Sequence, residues 1–160
     1  MILRRYEASD LAALENFVAT SLDNMRRWMP NATRELSGAL TEWLRMAREL
    51  FDNGERFPYA LCLKDGTFVG NVTATPTDDG TVTFGYWVHV DHLRRGYMSE
   101  AVEALVAHFG PATFVIHCHP DNEASAGVAS SAGFVHAGFD TDDLGHLEMR
   151  WERVVPPDYN

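Results

Sequence analysis

The chain has 160 residues, 46% hydrophobic and 22% charged, with a formal net charge of −10. That length suits one domain around a single core, and the acidic balance argues against a nucleic-acid-binding surface. No apolar run is long enough to span a bilayer, and Met1-Ile2-Leu3-Arg4-Arg5 lacks the apolar stretch of a secretory signal, so a cytoplasmic location is expected.

Ile2 to Tyr6 reads as a first strand. Ser9 or Asp10 can cap a helix carrying Leu11, Leu14, Phe17, Val18 and Leu22 on one face, closed by Trp28-Met29-Pro30. A second helix is predicted from Leu36 to Asn53, with Leu36, Leu40, Trp43, Leu44, Ala47, Leu50 and Phe51 as its apolar stripe and Gly54 as its stop. Trp28 and Trp43 are each either core packing or the lining of a substrate pocket. Three strands follow in hairpin order: Phe57 to Lys64, Thr67 to Thr75, and Thr81 to Val90, separated by Asp65-Gly66 and Asp78-Asp79-Gly80. Gly70, inside the middle strand, marks a bulge or a close backbone approach.

The turn Asp91-His92-Leu93-Arg94-Arg95-Gly96-Tyr97 leads into a helix from Met98 to Phe109, which Gly110 and Pro111 end. A helix start has backbone N–H groups without partners and a partial positive charge. Gly96 lets backbone approach a ligand, and Arg94 and Arg95 add fixed charge, so the turn can cradle a diphosphate. Thr113 to His119 is a continuous apolar run, as in a buried parallel strand. Pro120-Asp121-Asn122 opens a short helix, Glu123 to Ala132. Phe134 to Phe139 and His146 to Val154 form a final hairpin around the acidic loop Asp140 to Gly145, and residues 156–160 form a mobile tail. Cys62 and Cys118 lie in apolar runs and read as buried free thiols. The order β-α-α-β-β-β-α-β-α-β-β predicts an α/β protein with one mixed sheet, as a single domain over residues 1–155.

Tyr86-Trp87, followed by Arg95-Gly96-Tyr97-Met98-Ser99-Glu100-Ala101-Val102, resembles motif A of the GNAT acyl-CoA N-acyltransferases, written (Q/R)-x-x-G-x-(G/A). Gly96 matches the invariant glycine; Leu93 and Met98 replace the usual Gln/Arg and Gly/Ala. Asn122-Glu123-Ala124-Ser125, Val128-Ala129 and Gly133-Phe134 resemble the N-x-x-S-x-x-V-A…G-F segment of the RimJ/RimL-like branch, which acetylates ribosomal-protein N-termini. Arg26-Arg27-Trp28-Met29-Pro30 resembles its R-x-W-L-P.

The resemblance implies a GNAT fold whose two central strands splay apart, acetyl-CoA as cofactor and no metal. Backbone of Trp87, Val88 and His89 would supply carbonyl-oxygen donors and pair with the pantetheine amides. Leu93, Arg94, Arg95, Gly96, Tyr97, Met98 and Ser99 would hold the diphosphate. Ser125 would serve the leaving thiolate and Asn122 the pantetheine arm; read without the family, Asn122 caps its helix and Ser125 belongs to the first turn. Relatives carry a basic Glu where Thr83 stands. His117 and His119, on one strand face, are either titratable candidates or satisfied core histidines, and His89 is the other candidate; a base working through water, or an amine that arrives neutral, needs none of them. Two histidines at i, i+2 lack an evident third metal ligand. The expected activity is acetyl transfer to a primary amine, at a protein N-terminus or an amino-acid-like small molecule. Trp28 and Asp142 would lie on the acceptor side, in a monomer or homodimer with no nucleic-acid or membrane partner. A polyamine or aminoglycoside acceptor and a non-catalytic acyl-CoA-binding module are the alternatives.

Overall fold

The computed structural model describes residues 1–28 and 39–157. Seven strands lie in one sheet: β1 (Ile2–Arg5), β2 (Phe57–Cys62), β3 (Phe68–Pro76), β4 (Thr81–Val88), β5 (Ala112–Cys118), β6 (Val135–Thr141) and β7 (Leu147–Val155), in the order β1-β2-β3-β4-β5-β7-β6. Four α-helices occur among the described residues: α1 (Leu11–Trp28), α2 (Leu40–Asp52), α3 (Tyr97–Phe109) and α4 (Glu123–Ser131). Short 3-10 turns precede α1 (Ala8–Asp10) and follow β4 (Val90–His92). The expected order of elements is therefore observed. Leu36, Met29 and Pro30, expected to start α2 and to close α1, lie outside the described residues. The chain groups into two compact units, residues 1–73 with 86–95, and residues 74–85 with 96–160.

In the first unit β1 and β2 pair antiparallel, from Ile2↔Cys62 to Arg5↔Tyr59. Tyr6, Leu14, Leu44, Ala47, Ala60 and Cys62 are buried together, and the half-buried Trp43 meets the Tyr6 ring edge-on at 5.3 Å. Trp43 is thus core packing. The Tyr6 hydroxyl accepts from Asn71 Nδ2 at 3.0 Å, which satisfies two buried polar groups at once. Asp10 is not the cap of α1. Its carboxylate accepts the Glu7 backbone N–H at 2.8 Å and takes both Arg4 terminal nitrogens, at 2.8 and 2.6 Å. Strand β2 stops at Cys62 rather than Lys64, because Leu63 N–H already bonds Thr67 O (2.8 Å) and Gly66 N–H bonds Leu63 O (3.0 Å) to close the hairpin.

In the second unit β4 and β5 pair parallel, from Thr81↔Thr113 to Phe84↔Ile116. Both strands run on past that ladder, β4 to Val88 and β5 to Cys118. β5 pairs antiparallel with β7 along its whole length, and β7 with β6. Phe84 stacks parallel to Phe114 at 5.6 Å, with Phe134 edge-on to Phe84 at 6.4 Å. Met98, Ala101, Val102 and Leu105 bury the face of α3 that the 3.6-residue spacing marks out. β6 reaches Thr141, beyond the expected Phe139, so Asp140 is a strand residue opposite Glu148 instead of part of the loop. The β6–β7 register shifts between His136 and Phe139, a bulge that includes Gly138.

Candidate active site

In the first unit the end of β4 is held by its neighbour β3. His89 N–H donates to Val69 O at 2.9 Å. Backbone groups alternate sides along a strand, so Trp87 also faces β3, while Val88 directs its N–H to the opposite edge. Gly70 explains how closely the strands approach here: a β-carbon on it would lie 2.4 Å from Trp87 O. The Trp87 ring stacks on Phe17 at 3.9 Å and belongs to the core.

His89 is 7% exposed, and its ring is fully engaged. Nδ1 accepts the Asp91 N–H at 3.2 Å, which leaves the proton on Nε2, set against Thr20 Oγ1 at 2.9 Å and Asn16 Oδ1 at 3.3 Å. The Thr20 hydroxyl donates to Asn16 O (2.8 Å), so it accepts from His89. Nδ1 is therefore engaged within the 3-10 turn, and Nε2 ties that turn to α1. Trp28, at the other end of α1, is half-buried with the Arg27 guanidinium 4.5 Å above its ring.

Past the 3-10 turn, Leu93, Arg94 and Arg95 are exposed, and Arg94 adopts φ 58°. Gly96 precedes α3 at φ 76°, a conformation that side chains resist, and a β-carbon there would meet nothing within 4 Å. The first helical bond runs from Glu100 N–H to Gly96 O at 3.1 Å. The N–H groups of residues 97–99 thus lie ahead of the first intrahelical bond. Met98 buries its side chain and can offer a ligand only backbone. Open space over a glycine at a helix start is a feature suited to an anionic ligand.

In the second unit, Asn122 caps α4, its Oδ1 accepting Ser125 N–H at 3.1 Å. The Ser125 hydroxyl and the Trp151 indole N–H face the Cys118 thiol at the end of β5. Burial pushes that thiol up, and these two donors pull the other way. The sulfur is a weak acceptor, and the buried Trp151 Nε1 makes no full hydrogen bond to it or to any other described atom. Ser125 thus lies beside a sulfur atom already, although no linear spacing links it with Cys118.

On the other face of β5, His117 Nε2 meets Asp140 Oδ2 at 2.8 Å. The Arg150 guanidinium donates to the same oxygen at 3.0 Å and, through Nε, to Glu152 Oε1 at 2.6 Å. Hydrogen bonds from His117 and then Arg150 hold the Asp140 carboxyl below its ordinary value. His117 and His119 are not core histidines: their side chains are 29% and 48% exposed. His119 Nδ1 accepts the Asp121 N–H at 3.1 Å. In the final turn Asp142 accepts the N–H groups of His146 (2.7 Å) and Leu144 (2.9 Å), and pairs with His146 Nδ1 (2.9 Å). Those bonds, the His146 backbone first, depress its carboxyl, so much of its charge is spent within the turn.

These features belong to an α/β protein with one mixed seven-stranded sheet, a helix that starts at an open glycine, and two parallel strands that run on past their shared ladder. A family model for the acetyltransferase (GNAT) domain matches residues 1–135, and the chain belongs to that family. It is 37% identical over 62 residues to the ribosomal-protein-serine acetyltransferase of Escherichia coli, covering 36% of this chain and 35% of that protein. The matched stretch thus spans about a third of the curated relative's length. Among solved structures, the ribosomal-protein α-N-acetyltransferase RimL, bound to coenzyme A through a cysteine disulfide, superposes with a TM-score of 0.87. That match has 20% identity over 98% of this chain and 94% of RimL. The microcin self-immunity acetyltransferase MccE, bound to acetyl-CoA and AMP, gives 0.85 at 18% identity over 96% and 91%. At these identities the likeness is one of fold.

Proposed function

We propose that the chain transfers the acetyl group of acetyl-CoA to a primary amine, with α-amino groups of peptide N-termini as the preferred acceptors. The observation that carries this reading is the start of α3: Gly96 at φ 76° with open space above it, in a chain of the acetyltransferase family. The backbone of Leu93 to Ser99, with Arg94 and Arg95, would hold the diphosphate. The end of β4 would pair with the pantetheine amides as an added strand does, and Val88 N–H would donate to the carbonyl oxygen as it gains charge. Ser125 would donate to the thiolate, with Asn122 fixing its helix turn. His89, whose ring nitrogens meet Asp91, Thr20 and Asn16, would hold the turn in place.

Acetyl-CoA supplies an acyl group activated as a thioester; the acceptor must arrive neutral or lose a proton. Reference values near 7.7–8.0 for an α-amine and 10.4 for lysine favour the α-amine near pH 7. The names of the relatives, ribosomal-protein acetyltransferases, support a peptide acceptor. The test is thiol release from acetyl-CoA near pH 7 with three acceptors: a peptide with a free N-terminus, the same peptide N-blocked but bearing lysine, and a polyamine. Turnover is expected with the free N-terminus. A better rate with either of the others ends the α-amine preference, and binding without turnover would leave an acyl-CoA-binding module.

A further inference from the structure

We infer that His117, oriented by Asp140, is the proton acceptor for the amine substrate, an inference that rests on the acetyltransferase reading above. Thr83, on the neighbouring strand β4, is committed to Thr75 O through its hydroxyl at 3.4 Å and has no titratable group. His117 is the first residue of β5 beyond the β4–β5 ladder, which ends at Phe84↔Ile116. It follows Ile116 and precedes Cys118, so its side chain emerges on the face opposite the Cys118 thiol. Ser125 attends that thiol from α4. The end of β5 thus carries a group suited to a sulfur on one face and an imidazole on the other.

The hydrogen bonding fixes which nitrogen of His117 can accept a proton. Asp140 Oδ2 is an ionised acceptor 2.8 Å from Nε2, so Nε2 keeps its hydrogen and Nδ1 keeps its lone pair. Among the described residues the side chain makes no other hydrogen bond. Its 29% exposure leaves it reachable from solvent. The pair is 23 residues apart in sequence and is joined only because β7 lies between β5 and β6. Arg150, opposite His117 in the β5–β7 register, shares the Asp140 oxygen and is itself tied to Glu152. The remaining charged neighbours on this face by strand alternation are Glu148 on β7 and His119 on β5, the latter turned to Asp121. Asp140 therefore divides its charge between a cation and the imidazole, orienting His117 without the full electrostatic pull of an unshared carboxylate.

The proton balance is simple. The ammonium gives one proton to His117 Nδ1, directly or through one water, and the freed nitrogen forms the C–N bond as the C–S bond breaks. The thiolate leaves as coenzyme A thiol with a proton from the attacking nitrogen, and His117 returns its own proton to solvent. Asp140 acts as a positioning residue throughout, and its own protonation does not change.

The test compares wild type, His117→Gln and Asp140→Asn, each first checked for its melting curve and acetyl-CoA affinity by calorimetry. With a free-N-terminus peptide, His117→Gln should lose ~10²–10⁴-fold in kcat/KM below pH 7. The loss should fade as pH rises past the amine's own value, about 8. Asp140→Asn should lose less and show a displaced pH profile. Nitrogen-15 spectra of the protein alone should show the Nε2–H tautomer of His117 in wild type and a tautomer mixture in Asp140→Asn. A His117→Gln variant that matches wild type across the pH range overturns the inference, as does an Nδ1–H tautomer in wild type. Wild-type protein that releases no thiol with any amine overturns the acetyltransferase reading as well, so the two failures are told apart.

Discussion

Gly70 and Trp87 approach so closely that a β-carbon on residue 70 would stand 2.4 Å from the Trp87 carbonyl oxygen. No side-chain rotation relieves a clash with backbone, so Gly70→Ala must push β4 away from β3. The Val88 N–H leaves β4 one residue further on. Gly70→Ala should cost about 1–3 kcal/mol of stability and weaken acetyl-CoA binding as well. Urea unfolding and calorimetry check both halves. A variant with wild-type affinity for acetyl-CoA would remove the β4 end from the cofactor site.

The start of α3 makes a separable prediction. Since nothing lies within 4 Å of a β-carbon at Gly96, Gly96→Ala pays only the left-handed backbone strain, about 1–2 kcal/mol. Gly96→Asp adds a negative charge where a diphosphate would sit. Acetyl-CoA affinity should fall with alanine and vanish with aspartate while the fold persists. A folded Gly96→Asp protein with wild-type affinity sinks the cradle.

For Ser125 the expected signature is kinetic. Ser125→Ala should lower kcat by ~10²-fold or less, the bottom of the range for a group that assists proton transfer, with little change in acetyl-CoA affinity. Asn122→Ala removes only the helix cap and should cost about 1 kcal/mol. If the two variants lose stability equally and kcat stays at the wild-type value in Ser125→Ala, the serine is merely a residue of the first turn.

Acid stability should report on Arg4 and Asp10. Burial alone would raise the Asp10 carboxyl, but the Arg4 hydrogen bonds and the Glu7 N–H outweigh it and leave it depressed. A carboxyl depressed on folding contributes stability above its unfolded value, about 3.9, and loses it as pH falls through the lower folded value. Wild type should therefore lose this contribution only in strong acid. Asp10→Asn should be less stable by about 2 kcal/mol at neutral pH, since Arg4 is left partly buried without its partner. The gap between the two should close as pH falls through the depressed folded value. A pH-independent gap would assign the loss to packing.

Local signals carried the reading of the sequence where the physics is local. The Asp65-Gly66 and Asp78-Asp79-Gly80 turns, the α3 stripe from Met98 to Phe109 and the close approach at Gly70 follow from spacing or from a missing side chain. The readings that changed depend on distant partners. Asp10 looked like a cap until Arg4 claimed both of its oxygens. Asp140 looked like a loop charge until pairing with Glu148 carried β6 through it, and only the strand order brings it to His117. His89 ends a strand, which makes it a candidate base from sequence; the partners of its Nε2, Asn16 and Thr20, lie some seventy residues earlier. The partnership of Ser125 with Cys118 likewise crosses from helix to strand.

The bulge between His136 and Phe139 bears on how copies of this protein can meet. β6 closes one side of the sheet, and a terminal strand with regular spacing would offer its free N–H and C=O groups to any passing strand. Breaking that spacing in mid-strand leaves no long run of groups in register for a newcomer. Val135 and Phe139 nevertheless stay 67% and 55% exposed along the same strand. Self-association at this border would therefore proceed through apolar side chains, would weaken on cooling as apolar contacts do, and would not seed the growth of fibres.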